Sequence, residues 1–349
     1  MEIVLGNRKI GTGHPTFIVA EMSGNHAGSL QQALSIVHAA KRAGADAIKL
    51  QTYTADTITL KSDKEDFRIL SSSPWASHST LWELYNVAHT PWEWHKEIFS
   101  EARNVGIEIF SSPFDETAVD LLEELKTNIY KIASPEITNI PLLEKVAKMG
   151  KPVIISTGIS DLSDIELALA TLRNNGAKEI IILKCTTAYP APADEANLRT
   201  IPDITNRFGV LSGLSDHTIG TAAAVSAVAL GASIIEKHFF IDDAEETVDS
   251  FFSASETEFK KMVDDIRFID KALGVISYDI TPTAAPSIRG RSSLYIAKNI
   301  KAGEQFNKIN VKSVRPSYGL HPKYLKDIIG RIAKHDLELG DRLTWEVIE

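Results

Sequence analysis

At 349 residues, 44% of them hydrophobic and 24% charged, the chain has the size and balance of a folded globular protein of about two domains with a full core. The 46 acidic residues against 37 basic ones give a net charge of -9, with no Lys/Arg-rich block, which excludes a general nucleic-acid or anionic-lipid surface. An anionic small substrate would therefore need a local basic pocket.

The N-terminal MEIVLGNRKIGTGHPTF lacks the cationic start and apolar stretch of a signal peptide, and no run reaches the roughly 18 apolar residues of a membrane span. The one cysteine, Cys185, cannot form an intrachain disulfide and reads as a packed residue. These features lead us to expect a soluble cytoplasmic protein.

From residue 16 to about 273 one unit recurs: a short apolar β-rich run, a polar break, then a segment of helical periodicity. Eight strand candidates follow in order: Thr16 to Ala20, Ala47 to Leu50, Ile107 to Phe110, Ile129 to Ala133, Pro152 to Ile155, Glu179 to Leu183, Val210 to Leu214 and Ser233 to Glu236. Of the segments between them, Leu30 to Gly44 ends on a capping glycine, and Asp161 to Gly176 offers Ser160 or Ser163 as N-caps. Eight near-continuous apolar strands alternating with helices predict a closed (βα)8 TIM barrel over 1–273, an α/β fold, with an open doubly wound sheet as the alternative. The segment from Thr52 to Thr90 is too long for a simple connection and is expected to form a lid or substrate wall. Residues 274–290, without periodicity, read as a linker, and 291–349 as a small separate unit of short strands and turns whose marginal core needs something to dock on.

In a (βα)8 barrel the residues just after the strands share one face. Here they are Glu21, Asn25 and His26; Lys49 and Gln51; Ser111 and Ser112; Lys131, Ser134 and Glu136; Ser156 and Thr157; Thr186, Thr187 and Tyr189; Ser215, Asp216 and His217; Lys237 and His238. His217 and His238, on adjacent strands with Glu21 near by, suit a divalent metal such as Mn, Co or Zn, and tolerate Mg when water completes the shell. His26 is a candidate for substrate contact or a place beside an N-cap. Lys49 and Lys131, each set in an apolar strand, need a polar cavity for their ammonium groups. With Ser112, Ser134, Ser156 and Ser215 they form a cradle for phosphate or carboxylate.

The motifs FIVAEMSGNHAGS, GADAIKLQTY, SSPFD, YKIASPE, ISTGIS, KCTTAYP, GLSDHTIG and EKHF, in this order, resemble the sialic acid (nonulosonic acid) synthase family over nearly the whole chain. Its members condense phosphoenolpyruvate with an N-acetylated amino sugar. The C-terminal unit resembles that family's antifreeze-like (SAF) domain. TITLKSDKEDF, LYNVAHTPWEWH and VRPSYGLHPKY look most like the pseudaminic acid synthases within the family, with N-acetylneuraminate and legionaminate synthesis as alternatives. In KCTTAYP, Thr187 stands where the family's CTNIYP has asparagine.

The resemblance implies a catalytic set of Glu21, Lys131, His217 and His238, the two histidines holding a divalent metal (Mn2+, Mg2+ or Co2+). It implies phosphoenolpyruvate contacts at Lys49, Ser112, Lys131, Ser134, Ser156, Thr187 and Ser215, and sugar contacts at Gln51, Glu136, Tyr189 and Asp249. Arg315 matches an arginine that the family delivers into the partner's site, which implies a domain-swapped homodimer. Two other classes stand against this reading: a metal-free aldolase using Lys49 or Lys131 as a Schiff base, and a sugar-binding scaffold on a degenerate barrel.

Overall fold

The computed structural model describes residues 1–242 and 246–349. Contacts within the chain divide it into two compact units, Met1–Gly274 and Val275–Glu349.

The first unit opens with a hairpin that the sequence reading leaves unassigned. Strands β1 (Glu2–Leu5) and β2 (Arg8–Gly11) pair antiparallel, Ile3 opposite Ile10. Eight strands follow: β3 (Phe17–Glu21), β4 (Ala47–Thr52), β5 (Glu108–Pro113), β6 (Tyr130–Ile132), β7 (Val153–Ser156), β8 (Ile180–Cys185), β9 (Leu211–Asp216) and β10 (Ile234–Phe240). They pair in parallel in chain order, and β10 bonds to both β9 and β3, closing the expected barrel. A two-residue strand, β11 (Ala254–Ser255), pairs with Phe239 and Phe240 of β10, past the residues that bond to β3 and β9.

Helices run between the strands: α1 (Leu30–Ala43), α2 (Ala55–Ile58), α3 (Leu81–Ala88), α4 (Trp92–Val105), α5 (Glu116–Glu124), α6 (Ile140–Lys148), α7 (Leu162–Asn174), α8 (Thr200–Phe208), α9 (Ala222–Ala229) and α10 (Glu256–Ala272). The Ser29 side chain accepts from the Gln32 amide to start α1, and Gly44, at φ 88°, ends it in the left-handed conformation that a side chain disfavours. Helix α7 starts on Asp161, which forms a capping box with Asp164, rather than on Ser160 or Ser163. Asp161 competes better because its carboxylate takes the Asp164 amide while Asp164 returns the bond.

Because side chains alternate across a strand, each barrel strand serves two cores. Ile18, Ile48, Ile109, Ile155, Ile182 and Ile235 face the helices. Phe17, Ala47, Phe110, Ile154, Leu211 and Ile234 fill the barrel, and Ile3, Leu5 and Ile10 of the hairpin pack into the same cluster. The hairpin thus plugs one end of the barrel. Among the described residues no helix is long and apolar enough to cross a membrane.

The second unit pairs β12 (Ser293–Ile296) with β13 (Val311–Val314) antiparallel. Ten apolar residues, Leu294, Phe306 and Leu343 among them, form its own core. Residues 275–289 before it are exposed, and a 3-10 turn, Ala285–Gly290, ends the stretch.

Candidate functional site

Inward-facing positions change character along seven of the eight barrel strands, β8 alone keeping Ile181 and Leu183 before the thiol of Cys185. They begin apolar and end polar: Phe17 and Val19 give way to Glu21, Ala47 to Lys49, Phe110 to Ser112, Ile129 to Lys131, Ile154 to Ser156, Leu211 to Ser215, and Ile234 to Glu236 and His238. Seven of the eight strands extend a residue or more past the predicted ends, β6 alone stopping one residue short at Ile132, so most of these groups sit on rigid strand ends rather than in loops. That placement holds them to fixed positions.

Four charges lock together in the centre. Lys49 Nζ lies 2.5 Å from Glu21 Oε2 and 3.6 Å from Glu236 Oε1, and Lys131 Nζ lies 3.1 Å from the same Glu236 oxygen. Ser215 Oγ donates to Glu236 Oε1 at 3.1 Å, and Lys49 donates to Ser112 Oγ at 3.4 Å. All four charged groups are at most 5% exposed, where unpaired charge would be prohibitive. Burial pushes Glu236 up, but Lys131 and Lys49 outweigh it and hold the carboxyl at about 2. Glu21 goes the other way: burial raises it, and Lys49 offsets only part of the rise. Burial lowers Lys131 despite Glu236, whereas Lys49, opposed by two carboxylates, is raised. The set is thus graded, with one firmly ionised carboxylate and one predisposed to take up a proton.

Around it lie hydroxyl and amide donors. The Ser156 Oγ is buried without a hydrogen-bond partner among the described residues, a group set for a ligand. Ser134 Oγ accepts from the Gly158 amide at 2.9 Å. A Cβ on Gly158 would meet Thr187 Oγ1 at 1.8 Å and Ser134 Oγ at 2.8 Å, so only glycine lets the loops after β6, β7 and β8 close together. Gln51 lies opposite Ser112 in the sheet register. Burial raises the Glu136 carboxyl to about 7 against the pull of Lys131 and Lys49.

The two histidines stand beside this cluster with ring centroids 5.3 Å apart. His217 Nδ1 lies 3.0 Å from Thr186 O, a contact that places the proton on Nδ1 and leaves Nε2 as the free lone pair. Burial first, then His217, keeps His238 far below its usual value, hence neutral, and its Nδ1 has no partner among the described residues. Burial lowers His217, but Cys185 and the Thr186 carbonyl outweigh it and raise its proton affinity. A pair of imidazoles at a barrel mouth fits a divalent metal that takes them in their neutral form, its remaining positions filled by water or substrate. Among the described residues no group of three or more His, Cys, Asp or Glu side chains forms a closed cage. Cys185 faces inward and is buried, with Sγ 3.9 Å from both His217 Nδ1 and Thr187 Oγ1.

The long segment after β4 forms part of the surrounding wall. The Trp75 ring meets Tyr189 edge-on at 5.5 Å, and Tyr189 in turn stacks at 4.4 Å on His217. Asp249 joins two loops through one of its oxygens: Ser23 Oγ donates to its Oδ2 at 2.5 Å and the Gly24 amide donates to the same atom at 3.3 Å.

The structure gathers Glu21, Lys49 and Ser112 in direct contact, joins Lys131 and Ser215 to them through Glu236, and places His217, His238 and Tyr189 alongside. Arg315 follows β13 in the second unit, exposed and without an acidic partner among the described residues. Three expected pocket residues turn away from it. Lys237 and Asp216 form a buried pair at 2.8 Å that also engages Thr218, and Ser111 bonds Thr52, which contacts His95. Each occupies the outward parity of its strand. His26 is fully buried beside the N-cap, accepting from the Gly28 amide, with its ring edge against Trp94. Conversely Glu236, which the sequence reading left inside a strand, is central. A carboxylate between two isoleucines and a lysine was its only signal.

Residues 36–278 match the NeuB family and residues 291–349 the SAF domain. A pseudaminic acid synthase of Campylobacter jejuni is 47% identical over 332 residues, covering 95% of this chain and 96% of that one. The Helicobacter pylori pseudaminic acid synthase is 43% identical, covering 96% and 98%. Among solved structures, the N-acetylneuraminic acid (sialic acid) synthetase of Leptospira borgpetersenii superimposes with a TM-score of 0.72 at 33% identity, covering 82% of this chain and 95% of that one. On the full-length relatives and on a family match spanning most of the barrel, the chain belongs to the NeuB family.

Proposed function

We propose that the chain condenses phosphoenolpyruvate with 2,4-diacetamido-2,4,6-trideoxy-β-L-altropyranose and water to give pseudaminic acid and phosphate. The observation that carries this reading is the buried lysine and carboxylate cluster at the barrel mouth beside two free imidazoles, in a chain 43% to 47% identical to pseudaminic acid synthases. Lys49 and Lys131 offset the phosphate and carboxylate charge of phosphoenolpyruvate, and Ser112, Ser134, Ser156, Thr187 and Ser215 supply hydroxyls around it. Gln51, Glu136, Tyr189 and Asp249 serve the sugar.

The reaction forms a bond between C3 of phosphoenolpyruvate and the aldehyde carbon of the open-chain sugar. The aldehyde oxygen gains a proton, water adds to C2, and phosphate departs from C2 with its bridging oxygen. Glu21 takes the proton of that water, a role suited to a carboxylate whose affinity for protons burial has raised. Glu236, held ionised, fixes Lys131 and Lys49 while the substrate charge changes. His217 and His238 would hold a divalent cation, Mn2+, Mg2+ or Co2+, which when bound polarises the aldehyde oxygen as a Lewis acid.

Arg315, exposed in the SAF unit, supports a shared site in which one protomer's arginine reaches the sugar in its partner's site, in a domain-swapped homodimer. Phosphate release with both substrates and Mn2+ tests the reading. Release should stop on chelation and return with added metal, and borohydride should trap no adduct on a lysine; full turnover after chelation, or a trapped adduct, would contradict it.

A further inference from the structure

The segment between β4 and α4 has no part in the chemistry above, yet Trp75 within it reaches the site. Trp75 is half-buried, in a stretch otherwise largely exposed from Leu70 to Ser79. Its indole Nε1 donates to Val248 O at 2.8 Å, and its ring meets Tyr189 at 5.5 Å and Phe251 at 6.3 Å. Phe251 packs on Phe252 at 4.9 Å, and Phe252 lies 4.7 Å from His238. Three segments distant in sequence, around Trp75, Tyr189 and Phe251, thus build one aromatic surface beside the two histidines. Phe251 remains 48% exposed, a large apolar side chain at the edge of a polar cavity.

Such a surface has no use in holding phosphoenolpyruvate, which is small and anionic and matches the lysine cluster. It suits a part of the second substrate that carries methyl groups. We propose that Trp75, with Phe251 and Tyr189, is a specificity-determining wall that binds the C6 methyl and acetamido methyl groups of a 6-deoxy diacetamido sugar, and discriminates against a sugar bearing a C6 hydroxyl. This rests on the condensation proposed above and assigns its sugar selectivity to residues outside the charged cluster. The hydrogen bond to Val248 sets the indole's angle, while the ring's apolar face does the selecting. A methyl or methylene in an apolar pocket is worth roughly 10- to 200-fold in discrimination, so the wall has enough leverage to select.

The test is the ratio of kcat/KM for the 2,4-diacetamido-2,4,6-trideoxy sugar to that for N-acetylmannosamine, measured for the wild type, Trp75→Ala, Trp75→Phe and Phe251→Ala. The ratio should fall about 10-fold or more in Trp75→Ala and Phe251→Ala. The fall should come through the sugar KM, with the phosphoenolpyruvate KM unchanged, and Trp75→Phe should keep most of the selectivity. An unchanged ratio in both alanine variants, or an equal loss for both sugars, overturns the wall while leaving the condensation standing. A wild type that prefers N-acetylmannosamine overturns the sugar assignment and the wall together. Unchanged phosphoenolpyruvate KM and a cooperative thermal transition in Phe251→Ala keep the result readable if Trp75→Ala folds poorly.

Discussion

Two lysines share one carboxylate oxygen at Glu236, and the energetics of buried charge make that carboxylate the most exposed point of failure in the site. Glu236→Gln keeps the shape but leaves Lys131 without its counter-charge. Breaking such a buried pair costs about 3–5 kcal/mol, so the variant should show a markedly lower urea midpoint and a raised phosphoenolpyruvate KM; a loss under about 1 kcal/mol would mean the cluster is solvated. Glu136 makes a pH prediction. Its folded value of about 7 lies above the ordinary 4.5, so the folded state holds a proton that the unfolded chain releases between those values. The stability that this proton confers is complete below pH 4.5 and lost as pH rises through 7. In Glu136→Gln this decline should flatten in denaturation measured from pH 4 to 8, and an unaltered profile would remove Glu136 as its source.

At the scale of elements, strand parity decides which residues reach the site. The eight strands were legible as apolar runs because parallel strands buried on both faces read as continuous hydrophobic sequence. That same continuity hides parity. With no hydropathy alternation in IIEKHF, nothing local says that Glu236 and His238 point inward and Lys237 outward, so Lys237 was expected in the pocket and Glu236 was not. The hairpin of β1 and β2 went unread because four-residue strands give too short an alternation, here only Ile3, Leu5 and Ile10, to stand out. It nonetheless completes the inner core. Leu5→Ala should cost about 2–5 kcal/mol and leave both KM values unchanged, since Leu5 belongs to the plug and not to the charged end. Gly158→Ala tests the loops instead: its Cβ would collide with Thr187 Oγ1, so the phosphoenolpyruvate KM should rise with little change in the sugar KM. Equal rises would place Gly158 outside the phosphoenolpyruvate cradle.

For the whole molecule, the acidic balance and the anionic substrate are reconciled by concentration of charge. A chain of net charge -9 places two ammonium groups in its centre and pairs them with carboxylates. The self-contained core of the SAF unit, ten apolar residues, explains how a small unit holds together. A contribution of this unit to a partner's site is implied only by the family resemblance, because an exposed Arg315 carries no local mark of its destination. If the site is shared, mixing Arg315→Ala with His238→Ala protomers should restore part of the activity that each lacks alone, and no recovery after subunit exchange would argue for self-contained protomers. The most direct test of the account is phosphate release with phosphoenolpyruvate and, in parallel, the altrose-configured diacetamido sugar, its legionaminate-type isomer and N-acetylmannosamine. The account predicts the highest kcat/KM for the altrose-configured sugar; a preference for either of the others would contradict it.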